Sequence, residues 1–156
     1  MYEPPFWRDR DRNERLAATE CSSCGYVSFP ERREVCKRCG ERGAFSETTL
    51  AERGIVQSYV IQNRLPDAFE TPLPLAVLDI PQAGANDGEG TGSGAGDGNG
   101  EGSAGEPARV YGLFTETDPE AMEIGMEAEA VFRETFDIEG LPVHSFKFTV
   151  PRGESR

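Results

Sequence analysis

The chain has 156 residues and a formal net charge of −12, from 16 Lys and Arg against 28 Asp and Glu. This length allows one or two small domains. The sequence has no apolar run long enough to span a membrane and no hydrophobic segment at its start, so we expect a cytoplasmic protein without a secretory signal. The acidic balance opposes nucleic-acid binding, which depends on phosphate neutralisation, and is typical of halophile surfaces.

The first segment, residues 4–18, is predicted to form a short, highly charged helix that begins at a proline. Phe6 and Trp7 are its large apolar residues before Leu16. Two roles fit them. They could pack on the domain that follows, or they could dock on a partner, because Trp and Arg are enriched at interface hot spots.

All four cysteines lie in two Cys-x-x-Cys-Gly units, with eleven residues between Cys24 and Cys36. Such a turn directs two thiolates to one point, and its glycine can adopt backbone angles that let amides approach the sulfurs. The pattern predicts a closed tetrahedral site for structural Zn²⁺, with no open position for a substrate. Iron fits the same ligands, and disulfides or free thiols remain alternatives. The predicted ligands are Cys21, Cys24, Cys36 and Cys39.

The segment between and around the two cysteine units carries a local positive patch, formed by Arg32, Arg33, Lys37 and Arg38. One interpretation is a solvated loop that contains several arginines. The other is a contact to phosphate, which suits the forked donors of arginine.

After Gly40 the sequence becomes typical of β structure, with segments rich in Val, Ile, Tyr and Phe between Pro, Gly and Asp. Asp118 is a helix N-cap candidate between the third and fourth of these segments. Five short strands with one helical turn before the fourth is the order of an OB-fold barrel. The predicted strands are 54–61, 73–80, 109–115, 127–133 and 143–150.

Residues 84–106 differ in composition from the rest, because glycine alternates with small and acidic residues and no large apolar side chain occurs. Such a segment buries too little surface to offset its ordering entropy, so we expect a disordered insertion. It lies between the second and third predicted strands, where it would lengthen a hairpin loop. Loop-closure entropy grows only slowly with length, so the barrel should tolerate it.

The sequence gives no sign of a catalytic centre. His144 is the sole histidine, and no cysteine remains outside the predicted metal site to form a nucleophile–base pair with it. We expect His144 to be a packed or surface residue of the last strand. The acidic residues are scattered rather than paired, so we predict that the chain is not an enzyme.

Several motifs in a fixed order resemble the domain of unknown function 35 family, whose members combine a rubredoxin-like zinc ribbon with an OB-fold and associate with acyl-CoA enzymes. The resemblance covers nearly the whole chain outside the insertion. Glu31 and Lys37 stand where that family often has proline. The matching pieces are Phe6-Trp7, Cys21 to Gly25, Phe29-Pro30-Glu31-Arg32, Cys36 to Gly40, Asp118-Pro119-Glu120, Ile124-Gly125-Met126 and Phe146-Lys147-Phe148.

The resemblance implies a non-catalytic scaffolding subunit that bridges or completes a thiolase-like enzyme, such as acetoacetyl-CoA thiolase or hydroxymethylglutaryl-CoA (HMG-CoA) synthase, or a MaoC-like hydratase. By that analogy, Phe6 and Trp7 would contact the partner, and the region of Arg32 and Arg33 would lie near the phosphates of acyl-CoA. The alternative function is nucleic-acid binding, a common use of zinc ribbons and OB-folds, which demands a basic groove with stacking aromatic residues.

The expected architecture is therefore mostly β, in three parts. Residues 1–18 form an N-terminal helical arm, residues 19–48 a zinc ribbon, and residues 49–156 a five-stranded OB-fold barrel that carries the insertion.

Overall fold

The computed structural model describes residues 14–30, 34–67, 69–84, 106–138 and 140–151. Within these ranges the regular structure is mostly β, and no helical stretch has the length and apolar character that crossing a bilayer requires. The strands are β1 Ala17–Cys21, β2 Val27–Ser28, β3 Phe45–Thr49, β4 Arg53–Gln62, β5 Leu73–Ile80, β6 Ala108–Leu113, β7 Glu127–Ile138 and β8 Leu141–Thr149.

The first three strands form a small antiparallel sheet in the order β2-β1-β3. β1 is the central strand, and its register with β3 runs from Ala17 opposite Thr49 to Cys21 opposite Phe45. This pairing fixes the position of Cys21, the first predicted metal ligand, at the end of the central strand.

The structure does not show the N-terminal helix that was predicted for residues 4–18. Residues 4–13 lie outside the described residues, and Ala17 and Ala18, which we assigned to the end of that helix, belong to β1. Leu16 has a positive φ of 48°, and its carbonyl accepts a hydrogen bond from Leu50 N–H at 3.1 Å. Alanine favours helices, but here pairing with β3 and burial of Ala18 outweigh that local preference.

The remaining five strands form one sheet in the order β6-β5-β4-β7-β8. This sheet closes into a nearly complete barrel because Phe114, just after β6, forms a parallel bridge with Phe148 of β8. The N–H of Thr115 donates to the carbonyl of Phe148 at 2.9 Å at the same point. The five predicted strands correspond to β4 through β8, so the predicted barrel is confirmed.

The turn before the fourth barrel strand is a 3₁₀ helix at Pro119–Ala121. Asp118 caps it as predicted, because its Oδ1 accepts a hydrogen bond from Glu120 N–H at 3.0 Å. Glycine is needed at Gly112 on β6, since a Cβ there would overlap the ring of Phe148. Because Gly112 has no side chain, β6 and β8 can approach each other where the barrel closes.

The ribbon and the barrel share one buried apolar cluster. Leu16, Ala18 and Val27 come from the ribbon side, and they pack in the same cluster as barrel residues such as Leu78 and Val110. Backbone bonds join the two parts as well, with Ala83 N–H donating to Thr49 O and Ala51 N–H to Pro81 O, both at 2.8 Å. The metal site is therefore attached to the barrel through a common core.

The predicted insertion connects β5 and β6, which pair as an antiparallel hairpin that begins at Ile80 opposite Ala108. Residues 85–105 lie outside the described residues. The regular hairpin on either side shows that the barrel accommodates this long connection.

Candidate metal centre

The two Cys-x-x-Cys-Gly units fold as equivalent turns. In the first, Gly25 N–H donates to Cys21 O at 2.8 Å, and in the second, Gly40 N–H donates to Cys36 O at 3.0 Å. Both glycines have a positive φ, 71° and 77°, in the left-handed region that suits residues without a Cβ. The pattern Cys-x-x-Cys-Gly therefore encodes the turn that points two thiols of each unit in one direction.

The two turns bring all four sulfur atoms within 4.8 Å of one another. The Sγ atoms of Cys21 and Cys39 are 3.7 Å apart, and those of Cys24 and Cys36 are 3.6 Å apart. Four sulfurs bound at about 2.3 Å to a tetrahedral ion would lie roughly 3.8 Å from one another. The observed spacing fits a four-thiolate zinc site and is far longer than the 2.05 Å or so of a disulfide bond.

Backbone donors create an uneven charge distribution among the thiols. The N–H groups of Cys39 and Arg38 donate to the Cys36 sulfur and lower the pKa of that thiol to about 6. For Cys24, the N–H of Tyr26 lowers the pKa, but desolvation and the other three thiols outweigh it and raise the pKa to about 12. The pKa of the Cys36 thiol is therefore lower than that of the neighbouring Cys24 thiol, so Cys36 carries more of the negative charge of this pair.

The second cysteine unit also contacts the barrel side of the molecule. Arg38, between Cys36 and Cys39, forms an ion pair with Glu106, which precedes β6. This contact ties the metal turn to the residue at which the long β5–β6 connection ends.

The other site residues predicted from sequence are only partly described. Phe6, Trp7, Arg32 and Arg33 lie outside the described residues, so their predicted contacts remain predictions. His144 packs against Phe132, with ring centroids 5.8 Å apart in a stacked arrangement.

A cleft of about 250 Å³ lies where the ribbon meets the barrel. Among the described residues, its lining combines three aromatic rings with two cationic side chains and includes no carboxylate. Lys37 comes from the second cysteine unit, and Arg109 comes from β6, where it holds Asp79 at 3.0 and 3.3 Å. The lining residues are Tyr26, Val27, Ser28, Phe29, Pro30, Lys37, Arg109 and Tyr111.

Sequence reasoning did not single out Arg109 and Tyr111 as members of this site. Their spacing could have indicated that they lie on one face, because residues two apart on a strand point to the same side of the sheet. What the sequence could not supply is the packing of β2 against β6, which places Tyr26 and Phe29 beside them.

A second cleft, of about 540 Å³, opens in the barrel between the β4–β5 loop, the segment after β6, and β7. Lys147 and Arg133 line it, and Arg133 is paired with Glu116 at 3.0 Å. The hydroxyl of Thr135, at a bulge of β7, is buried there and has no hydrogen-bond partner among the described residues. Its lining mixes these cations with several carboxylates, unlike the cleft at the ribbon.

Comparison with known proteins supports a zinc ribbon in the N-terminal part of the chain. Residues 8–45 match the family model described as "ChsH2, rubredoxin-like zinc ribbon domain". Among solved structures, the chain is similar to the "Ltp2-ChsH2(DUF35) aldolase", with a TM-score of 0.57 and 22% identity over 93% of this chain and 98% of that one. At that identity the likeness supports the fold.

Curated relatives extend the similarity along nearly the whole chain. A "DUF35 domain-containing scaffold protein" of Methanocaldococcus jannaschii is 28% identical over 146 residues, which is 91% of this chain and 86% of the relative. A protein of the same description from Methanothermobacter thermautotrophicus is 27% identical over 146 residues, 91% of each chain. By sequence, the chain is therefore similar to the DUF35 domain-containing scaffold proteins, and its residues 8–45 match the rubredoxin-like zinc ribbon domain of ChsH2.

Proposed function

We propose that this chain is a non-catalytic scaffolding subunit of an acyl-CoA-processing complex, in which it bridges or completes a thiolase-like enzyme such as acetoacetyl-CoA thiolase or HMG-CoA synthase. The observation that carries the proposal is similarity to named scaffold proteins along nine-tenths of the chain. A MaoC-like hydratase is the alternative partner that the family resemblance implies.

The chemistry of the metal centre supports a structural role. Four cysteine sulfurs already supply the full tetrahedral set for zinc, so a bound substrate would have no coordination position. The bound ion would instead hold together a ribbon of three short strands. In the proposed complex, the reaction is therefore carried out by the partner.

The cleft between ribbon and barrel supports a contact with the nucleotide end of acyl-CoA. Aromatic rings such as Tyr26 and Tyr111 can stack on an adenine base, and Lys37 can face phosphate, whereas Arg109 is already paired with Asp79. Arg32 and Arg33 follow the cleft residue Pro30 closely in sequence, which is why we propose them as additional phosphate contacts. In a chain of net charge −12, a cleft whose described lining residues include Lys37 and no carboxylate is a suitable place for an anion.

The partner can be tested by native affinity purification of the tagged chain from its own cells at cellular salt. We expect recovery of a thiolase-like or hydratase subunit. Recovery of nucleic acid or ribosomal material without an acyl-CoA enzyme would contradict the proposal and favour the nucleic-acid alternative.

The CoA contact needs a separate measurement on the purified complex. We expect the substitutions Arg32→Ala, Arg33→Ala and Lys37→Ala, made together, to weaken CoA binding at least tenfold in calorimetry, because phosphate contacts are lost. Lys147→Ala, in the barrel cleft, is the matched control and should leave CoA affinity unchanged. Unchanged affinity in the triple variant would disprove the phosphate contact while leaving the scaffolding role intact.

A further inference from the structure

The outer side of the barrel carries an apolar surface formed by three adjacent strands. In an antiparallel sheet, residues directly opposite one another project to the same side. The registers of β4 with β5 and of β5 with β6 therefore define a single surface, the outer face, in three cross-strand rows. The rows are Val60–Leu75–Leu113, Ser58–Val77–Tyr111 and Ile55–Asp79–Arg109.

β5, at the centre of this surface, has the sequence of a strand that is covered on both sides. Its burial alternates regularly, with Pro74, Ala76, Leu78 and Ile80 buried in the barrel. The outward positions are nonetheless Leu73, Leu75 and Val77, and only Asp79 is polar. A barrel strand with one solvated side normally alternates apolar and polar residues, whereas a continuous apolar run is typical of strands buried on both faces.

The last strand of the same barrel provides the comparison. On β8, Phe146 and Phe148 alternate with Ser145, Lys147 and Thr149. The apolar outward positions of β5 are thus a local property and do not extend to every barrel strand.

The outer face is also exposed and almost uncharged. Tyr111 is 73% exposed, Val60 48% and Ile55 42%. Its charged members, Asp79 and Arg109, neutralise each other through two hydrogen bonds. In a chain with 28 acidic residues, a contiguous surface of this kind marks an interaction site.

We propose that the outer face of β4, β5 and β6 is the surface on which the catalytic subunit docks, and that the subunit presents an apolar, uncharged centre with a basic rim. The inference rests on the proposed scaffolding function and names its surface. Charge complementarity argues for this occupant, because the apolar face belongs to a molecule of net charge −12.

Two other occupants fit less well. A second copy of the chain would bring two charges of −12 together, which opposes self-association. The 84–106 insertion contains no large apolar residue in its sequence, so it offers nothing to bury against Leu75 and Val77.

The position of the outer face connects it with the cleft at the ribbon. Tyr111 and Arg109 belong to both, so a subunit bound to the face would border the cleft. The docking surface and the nucleotide cleft would then adjoin at one edge of the barrel, and acyl-CoA would be held between the two subunits.

The test compares two double variants in native purification from the protein's own cells. Val60→Asp with Tyr111→Asp places two charges on the outer face. Ile124→Asp with Leu141→Asp is the matched control, because those residues are 69% and 64% exposed and lie on neither β4, β5 nor β6. We expect the face variant to retain its zinc and melting temperature but to recover at least tenfold less acyl-CoA enzyme than the wild type and the control.

Recovery of the enzyme at the wild-type level by the face variant, or an equal loss in the control, would overturn the proposed surface while the scaffolding role stands. If the wild-type chain recovers no acyl-CoA enzyme, both the scaffolding role and this inference fail.

Two measurements on the isolated chain test whether the N-terminal segment or a second copy of the chain covers the outer face instead. Trp7 is the only tryptophan. A shift of its fluorescence in the face variant alone would assign the face to the N-terminal segment and overturn the proposal. Light scattering that shows a wild-type dimer dissociated by the face variant would assign the face to a second copy, with the same consequence.

Discussion

The metal centre depends on single residues whose removal has a sharp expected effect. Cys36 is buried, and its sulfur lies 3.6 Å from that of Cys24. Replacing Cys36 with Ser removes one ligand, so we expect bound zinc to fall from about one ion per chain to near zero, with loss of ribbon structure, because structural zinc supplies folding free energy directly. Zinc content by mass spectrometry and the melting temperature report the two effects.

Ser22→Ala and Ser23→Ala provide the control, because these exposed residues lie in the same turn and are not ligands. Both should retain zinc. If Cys36→Ser retained zinc and stability as well, the four-cysteine site would not be structural.

Zinc binding should depend on pH in a direction set by the thiol pKa values. For Cys39, the N–H of Glu41 lowers the pKa, but desolvation beside the other thiols leaves it raised, and the pKa of Cys24 is raised to about 12. Both are therefore protonated at pH 7 in the metal-free chain, and zinc must displace their protons. We expect at least two protons released per zinc at pH 7, measured by calorimetry in buffers of different ionisation enthalpy.

The sign of the affinity change follows from the same competition. Zinc needs thiolates, so its affinity rises with pH and falls most steeply as pH drops through about 6, where Cys36 also becomes protonated. Zinc affinity that is unchanged between pH 8 and pH 5 would contradict the four-thiolate assignment.

The metal site could be read from sequence because its geometry is local. Each Cys-x-x-Cys-Gly unit forms its own turn, and the glycine in the motif already predicts the positive φ that Gly25 and Gly40 adopt. The cleft and the outer face could not be read in the same way. They depend on which strands become neighbours, and the partners of Arg109 and Tyr111 are distant in sequence.

At the level of strands, the successful predictions were those with strong alternation or β-branched residues. The predicted strand 73–80 coincides with β5. β3 was missed, because Phe-Ser-Glu-Thr-Thr has one large apolar residue and becomes a strand only by pairing with β1. The first two residues of β1, Ala17 and Ala18, were assigned to helix for the same reason, since Ala-Ala-Thr-Glu-Cys does not itself indicate the sheet in which it pairs.

The long β5–β6 connection gives a prediction at this scale. Replacing residues 87–103 with a four-residue Gly-Ser linker should preserve zinc content and the barrel, because the β5–β6 register and the Arg38–Glu106 pair lie outside the deleted segment. A shorter loop has less closure entropy to lose, and the connection is about halved in length, so we expect the free energy of unfolding to rise by about 0.6 kcal/mol. Chemical denaturation measures the change.

A large destabilisation, or loss of zinc, in the shortened chain would show that the insertion makes structural contacts. The same deletion with Glu106→Ala added is the companion variant, since it separates the loss of the Arg38 ion pair from the loss of the loop itself.

At the scale of the whole molecule, a small zinc ribbon and a nearly closed barrel are built on one core, with an aromatic cleft at their junction and an almost uncharged outer face on the barrel beside it. The remainder of the chain is strongly acidic, which favours solubility and opposes self-association. These properties suit a subunit that is ordered by its own metal and presents a surface to a larger enzyme.

The measurement that tests this account most directly is reconstitution of the complex from the zinc-loaded chain and the purified acyl-CoA enzyme that it recovers from cells. Light scattering and turnover are measured for each component alone and for the mixture. We predict a stable complex, higher turnover in the mixture than in the enzyme alone, and no turnover by the chain alone. Turnover by the isolated chain, or an enzyme at full activity that does not bind the chain, would contradict the scaffolding role.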